Sequence, residues 1–259
     1  MLDIYQEIAK ITAEGGEAAL ATVVSAQGST PREVGAKMLV RADGSIIGSI
    51  GGGSVEAQLI KKATEVIKKG QPQRHHFSLV PKEGEESGMI CGGEMEVFIE
   101  PILPSPTMYI FGGGHVSLTL AKIGKLLDFK IVVIDDQAEF ATPERFPDAD
   151  LVLAEDFDKA FAKLKIDKSS YIVIVTRGHK TDEAVLELAL GTPAKYIGMI
   201  GSKTKIKTIF SHLLAKGIPK KLLDTVHTPI GLEIYAETPE EVAVSILAEL
   251  VKIRRSPVP

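Results

Sequence analysis

Cysteine is nearly absent. Cys91 is the single one in 259 residues, so no disulfide can form within the chain, and a lone thiol suits a reducing compartment. No apolar run approaches the roughly 20 residues that a membrane-spanning helix requires, so no membrane association is expected. Basic residues nowhere gather into a dense stripe. With 30 Lys and Arg against 34 Asp and Glu the formal charge is −4, and nucleic acid is not an expected partner. The opening residues Met1-Leu2-Asp3-Ile4-Tyr5 lack the basic start and apolar core of a secretory signal, so the expected location is the cytoplasm.

The remaining composition is that of an ordinary globular protein, with 44% apolar and 25% charged residues, and the length favours two domains over one. Leu2, Tyr5, Ile8 and Ile11 recur at helical spacing and Gly15-Gly16 closes that helix. Strands are expected at 18–25, 37–41 and 45–49, the last two joined by the turn Ala42-Asp43-Gly44. Ser54 reads as the N-cap of a helix over 55–69, with Glu56 in its first turn and Gly70 just beyond its end. Further strands are expected at 73–80 and 94–100. Three prolines, Pro101, Pro104 and Pro106, then suggest a stiff linker. The expected division is a mixed α+β domain over 1–103 and a second domain over 108–259.

Beyond the linker, short apolar strands alternate with helices. Strands at 108–111, 131–134, 151–153, 171–175 and 196–200 predict a Rossmann-type, doubly wound parallel sheet, an α/β fold. Thr238, Pro239 and Glu241 spell a capping box for the last helix. Directly after the first of these strands comes Gly112-Gly113-Gly114-His115-Val116-Ser117. Here Gly112 permits a tight turn, Gly114 permits close backbone approach of a phosphate, and the helix start supplies free N–H groups. His115 is either a ligand contact or a polar helix-start residue. Asp135 ends the next strand, 23 residues beyond Gly112, near the spacing of a ribose-binding acid. With Gln137 offering no compensating cation, a ribose 2′-phosphate is disfavoured and NAD is the preferred nicotinamide ligand. Arg177, His179, Ser202 and Lys203 follow the fourth and fifth strands at the crevice edge. They either hold an anion there or are solvated turn residues.

The first half carries a second set of small-residue motifs. Arg32 follows Gly28-Ser29-Thr30-Pro31; Gly51, Gly52 and Gly53 precede the second helix; Gly92-Gly93 follow Cys91. A glycine run can form a phosphate nest and Arg32 can pair with an anion, although hairpin turns need glycine as well. Cys91 is either a small buried hydrophobe or a thiol that its glycine neighbours leave open to a ligand.

Taken in order, Gly28-Ser29-Thr30-Pro31-Arg32, Gly48-Ser49-Ile50-Gly51-Gly52-Gly53-Ser54, Cys91-Gly92-Gly93 and Phe111-Gly112-Gly113-Gly114-His115 form one series. It continues through Thr176-Arg177-Gly178-His179, Gly198-Met199-Ile200-Gly201-Ser202 and Thr228-Pro229-Ile230-Gly231-Leu232. Over nearly the whole chain this series resembles the XdhC/CoxI family of xanthine dehydrogenase accessory proteins. The resemblance implies a chaperone that binds molybdenum cofactor, as molybdopterin or its dinucleotide form, and protects it while a terminal ligand is replaced by sulfur. It implies as partners a xanthine dehydrogenase-type apoenzyme and a cysteine desulfurase, with a homodimer as a plausible assembly. Cys91 matches the family's cysteine position and Gly51–Gly53 its loop, so the resemblance makes Cys91 the candidate for sulfur handling and for a contact to molybdenum. An NAD-dependent oxidoreductase, with His179 as proton donor, and a nucleotide-sensing regulator without turnover are the alternatives that the fold permits.

Overall fold

Strict alternation of side chains lets one antiparallel sheet face two helices. The computed structural model describes residues 2–78 and 92–256. It divides into two compact units, the first reaching Pro104 and the second spanning Ser105–Ser256. In the first unit, α1 (Leu2–Glu14) precedes β1 (Ala18–Gln27), β2 (Lys37–Arg41) and β3 (Ile46–Gly48). After these come α2 (Gly53–Lys69), β4 (Gln73–Ser78) and β5 (Glu94–Ile102). The strands lie in the order β3-β2-β1-β5-β4 and every pair is antiparallel. Ala19, Ala21 and Val23 on one face of β1 pack with Val55, Leu59, Ala63 and Val66 of α2. Ala18 and Leu20, on the other face, pack with Ile4 and Ile11 of α1.

Two local expectations need correction. Strand β5 does not stop before the prolines: it runs through Pro101, which pairs with Ala19, to Ile102. The β4 ladder has already ended there, with Gln73 opposite Ile99, so a missing N–H breaks nothing on that side. Ser54 is not the cap of α2. The N-cap is Gly52, and the chain enters the helix through Gly51, Gly52 and Gly53, whose φ angles are all positive (137°, 76° and 63°). Only glycine adopts such a run without strain. At the other end, Gly70 closes α2 in the left-handed conformation, as its place in the sequence suggests.

The second unit is an α/β layer built on β6 (Thr107–Phe111), α3 (His115–Leu126), β7 (Lys130–Asp135), β8 (Leu151–Ala154) and α4 (Phe157–Lys163). The chain continues through β9 (Ser170–Ile174), α5 (His179–Leu190), β10 (Tyr196–Met199), α6 (Lys203–Ala215), α7 (Lys220–Leu223) and α8 (Pro239–Arg255). Strand order is β10-β9-β6-β7-β8, all parallel, so the fold is the doubly wound one that the strand spacing predicts. One face of the sheet buries Phe111, Ile134, Ile172 and Ile174 under α4, α5 and α6. The other buries Ile110, Ile131 and Val173 under α3 and α8. Each fully buried side chain of this size contributes roughly 1.5–3 kcal/mol. The capping box at Thr238 and Glu241 is present, each side chain accepting a backbone N–H of the other's end of the turn.

The segment after α7 returns to the sheet edge beside β10, where His227 N–H donates to Ile197 O (2.9 Å) and Met199 N–H to His227 O (3.0 Å). Glu249 on α8 pins this segment. Its carboxylate accepts from Gly231 N–H (2.9 Å) and from the Tyr196 hydroxyl (2.5 Å), and lies 3.0 Å from His227 Nδ1. Burial opposes the charge on Glu249, but the bonds from His227, Tyr196 and Gly231 outweigh it and hold its pKa below the ordinary value. Burial of its ring, and after that the same carboxylate, push the Tyr196 hydroxyl far up. A depressed carboxyl pKa contributes stability that is present above the unfolded value, 4.5, and lost as pH falls through the folded one. We therefore expect Glu249→Gln to cost about 1–3 kcal/mol near neutral pH. The gap to the unmutated protein should narrow on acidification below pH 4.5 when denaturant unfolding is followed across pH. A gap that stays constant with pH would show that the charge is not what anchors the segment.

Candidate functional site

In the second unit β6 lies between β7 and β9, so the loops after these three strands meet at one edge of the sheet, where the strand order reverses. The chain leaves β6 through Gly112, at φ 112°, where a Cβ would lie 2.5 Å from Val175 O. Gly113 is just as constrained, because a Cβ there would fall on the Phe140 carbonyl. Gly114 differs: it is the N-cap of α3 in extended conformation, and a Cβ there would meet nothing within 4 Å. The amides of Gly114, His115 and Val116 take no acceptor among the described residues, as the first turn of a helix leaves them. The glycine expected to admit a ligand thus has open space before it. Ser117, where a small Gly or Ala is usual, is buried and donates its hydroxyl to Gly112 O (2.5 Å), tying the turn to the helix.

Asp135, at the end of β7, is 1% exposed. One carboxylate oxygen accepts Gly113 N–H (2.7 Å) and the other accepts Gln137 N–H (2.9 Å). Arg177, from the loop after β9, donates to Asp135 (2.7 Å) and to Asp136 (2.9 Å), and it also bonds the Gln137 side chain. A cation therefore does stand beside Asp135, contrary to the expectation drawn from Gln137. It comes from a strand 42 positions away, on the far side of β6. The balance at this end is two carboxylates to one guanidinium. Asp135, Asp136, Gln137, Phe157, Thr176 and Arg177 line a cavity of about 220 Å³. That is below the roughly 300–1,000 Å³ of sites that enclose a whole drug-sized ligand, so it suits one moiety of a larger molecule.

His179, Ser202 and Lys203 are exposed at the starts of α5 and α6. His179 and Ser202 line a different cavity, of about 520 Å³, with Lys180, Lys205 and His212. Ser202 also serves as N-cap of α6, accepting Lys205 N–H (3.3 Å). Beneath this cavity the fully buried Asp182 accepts from the Thr176 hydroxyl (2.5 Å) and forms an ion pair with Lys205. Burial pushes the Asp182 carboxyl up against the pull of those two partners. The pair stitches the loop after β9 to α5 and α6. His115 is exposed at the first position of α3.

Sequence reasoning overlooked Arg145 and Phe140. Both lie in 136–150, a connection between parallel strands that carries no helix, and long irregular connections of this kind are commonly functional. Arg145 Nε donates to Gly113 O (3.0 Å), and Phe140 carries the Arg177 guanidinium 4.3 Å from its ring centroid.

In the first unit three separated motifs converge. A Cβ on Gly28 would lie 3.2 Å from Gly93 Cα, one on Gly93 would lie 2.5 Å from Gln27 O, and one on Gly51 would fall on the Pro31 ring. The loops 28–32, 51–53 and 92–93 therefore pack closely together at one end of the sheet, 28–32 against 92–93 through backbone and 51–53 against the Pro31 ring. Arg32 is exposed there. Glu56 turns back toward the glycine run: its carboxylate accepts from Ser49 Oγ (2.6 Å) and Ile50 N–H (3.1 Å), and Gly51 N–H donates to Ser49 Oγ (3.2 Å). Burial works against that charge, and the bonds from Ser49 and the backbone of Gly52, Ile50 and Gly51 prevail, holding Glu56 below the ordinary carboxyl range. Cys91, the expected sulfur-handling and molybdenum-contacting residue, lies outside the described residues. No group of three or more metal-ligating side chains occurs among the described residues, and no helix among them is long and apolar enough to cross a membrane.

The second unit is thus a Rossmann-type domain with an open helix start and a buried acid, Asp135, at the end of its second strand. Residues 108–250 match the family described as the XdhC Rossmann domain, and residues 11–78 match the XdhC and CoxI family. The chain belongs to the XdhC/CoxI family. It is 35% identical over 256 residues to the uncharacterized protein YqeB of Escherichia coli (strain K12), covering 98% of this chain and 47% of that one. To a probable xanthine dehydrogenase subunit of Bacillus subtilis (strain 168) it is 28% identical, covering 61% and 46%. The chain therefore spans less than half the length of these two relatives. It is 22% identical to the molybdenum cofactor insertion chaperone PaoD of Escherichia coli (strain K12), covering 93% and 84%. A crystal structure of a xanthine dehydrogenase from Bacillus halodurans shares the fold, with a TM-score of 0.53 at 23% identity, covering 96% of this chain and 95% of that one.

Two glycine substitutions separate architecture from ligand contact. Gly113→Ala should lower stability by about 1–3 kcal/mol, because the Phe140 carbonyl must move. Gly114→Val should cost at most about 1 kcal/mol of capping, yet abolish binding of a phosphate-bearing ligand. Thermal melting and calorimetry on both variants check this, and undiminished ligand affinity in Gly114→Val would remove the helix start from the site.

Proposed function

We propose that this chain is a maturation factor for a molybdenum hydroxylase of the xanthine dehydrogenase type, with molybdenum cofactor as its cargo. The observation that carries this reading is the open start of α3, where Gly114 leaves space and three amides lack acceptors. Molybdopterin bears a phosphate, and its dinucleotide form a pyrophosphate, and a helix N-terminus with free N–H groups holds such anions. Family membership and the named role of PaoD support molybdenum cofactor as the cargo. In this reading the second unit grips the phosphate end through Gly114, His115 and the side chains around Asp135. In the first unit, Arg32, Gly51–Gly53 and Cys91 are the candidate contacts to the cofactor. Cys91 supplies a soft thiolate suited to sulfur handling, with a cysteine desulfurase as sulfur source. His179 does not share the cavity of Asp135 and Arg177, which weakens a nicotinamide-dependent reaction with His179 as proton donor.

Purification of the chain beside a molybdenum hydroxylase, with fluorescence and mass spectrometry of the released ligand, tests the reading. A pterin is the expected ligand; a nicotinamide nucleotide with a matching turnover, and no pterin, would replace this function with an oxidoreductase. Cys91→Ser should leave the melting temperature and the second unit's ligand binding intact while activation of the client falls by roughly an order of magnitude or more. A variant that melts early and still activates its client normally would make Cys91 a core residue.

A further inference from the structure

Charge is unevenly spread along the chain. From Gly191 to Leu223 stand seven lysines and neither Asp nor Glu, in a protein whose formal charge is −4. Helix α6 occupies the middle of this acid-free stretch and is tied to α5 by the pairs Lys205–Asp182 and His212–Glu183. Between the two helices runs the cavity of about 520 Å³, within the roughly 300–1,000 Å³ of sites that hold a small molecule. Its lining on α6 extends from Ser202 to His212, a rise of about 15 Å along the helix axis, so it follows the helix flanks away from the strand ends. It shares no lining residue with the cavity at Asp135. The turn 176–181 gives Thr176, Arg177, Gly178 and Thr181 to that cavity and His179 and Lys180 to this one.

The polar groups of the lining define what fits. Four basic side chains, His179, Lys180, Lys205 and His212, line the cavity beside one carboxylate, Glu183. That carboxylate is already engaged, 3.0 Å from His212 Nδ1 and 3.1 Å from Lys216 Nζ. Beneath, Asp182 is spent on Lys205 and on the Thr176 hydroxyl. No acid of the lining is left for Lys180, which is exposed and forms no ion pair among the described residues. The Lys205 side chain is only 14% exposed, and Asp182 occupies one of the three donors of its ammonium. Ser202, Thr204 and Thr208 add hydroxyls along the wall, and the buried Ile209 adds apolar surface. Lysine is a compact point charge without the planar fork of arginine, so this set suits either a phosphate or a carboxylate.

We propose that the cavity between α5 and α6 is a second ligand site, for a small molecule that carries a phosphate or carboxylate head on a hydroxyl-bearing body. Lys180 and Lys205 meet the head, and the hydroxyls and Ile209 along α6 meet the body. The site stands apart from the glycine loop and does not depend on the maturation role.

Nuclear magnetic resonance of the histidine rings tests the proposal on the full chain, because His179 and His212 line this cavity while His115 stands at the start of α3. The probes are ribose 5-phosphate, citrate and uncharged ribose, each titrated at constant ionic strength. At least one of the two anions should shift the His179 and His212 signals to saturation, and ribose should not; which anion does so identifies the head group. Lys180→Ala should weaken that binding by roughly 3- to 10-fold, whereas Lys252→Ala, on α8 and outside the lining, should leave it unchanged. Thr208→Trp, at an exposed position of the wall, should fill the cavity and abolish the shifts. Should Thr208→Trp melt early, Lys180→Glu takes its place and should abolish them as well. The shifts should persist in Gly114→Val. Shifts confined to His115 and lost in Gly114→Val would overturn the second site and leave the reading of α3 standing. Absence of any shift with either anion, equal loss in Lys252→Ala and Lys180→Ala, or undiminished binding in a folded Thr208→Trp or Lys180→Glu chain would overturn it too.

Discussion

The carboxylate of Asp135 is the joint on which the second unit's site depends. It is almost completely buried, and it ties three segments that are remote in sequence: the glycine loop through Gly113 N–H, its own turn through Gln137 N–H, and the loop after β9 through Arg177. A buried carboxylate is costly unless its lone pairs are satisfied, so these bonds hold the loops in one arrangement. With Gly113 drawn toward Asp135 and blocked behind by Phe140, the next residue, Gly114, faces outward, and the first amides of α3 are left free.

The parallel architecture was legible from the sequence because its signals are local. Apolar strands of four or five residues, the Gly-rich turn after Met108–Phe111 and the capping box at Thr238 each depend on neighbours a few positions apart. What escaped was non-local. Arg177 meets Asp135 only because β9 and β7 flank β6, and the spacing of Gln137 from Asp135 says nothing of a cation 42 positions away. Arg145 escaped because no periodicity marks its coil, although the length of 136–150 without a helix was itself a clue. Ser54 misled because a serine before a helix is ordinarily its cap; here the chain enters α2 through Gly52 with no side chain capping it.

The first unit shows how much a glycine motif can mean beyond a turn. Gly28, Gly51 and Gly93 stand where backbone or the Pro31 ring passes too close for any side chain. Three motifs that are separate in the sequence are therefore one packed junction, and Gly92, the residue after Cys91, borders it, its carbonyl 3.4 Å from the place of a Gly28 Cβ. The family resemblance could point to these residues as a set, but chemistry read along the chain could not say that they touch, because each taken alone is satisfied by a hairpin.

The two glycine runs also differ in what they can still bind. A nest attracts an anion only while its amides are unpaired. Beside the run 51–53 an anion is already in place: burial works against the Glu56 charge, but Ser49 and the neighbouring backbone hold its pKa below the ordinary value. A phosphate brought to that loop would have to displace a covalently tethered rival of the same charge. In the run 112–114 the tethered carboxylate, Asp135, reaches only Gly113, and the amides beyond it stay unpaired among the described residues. The free amides at the start of α3 are therefore the ones still open to an anion, while the glycines of the first unit serve the close packing of the loops 28–32, 51–53 and 92–93.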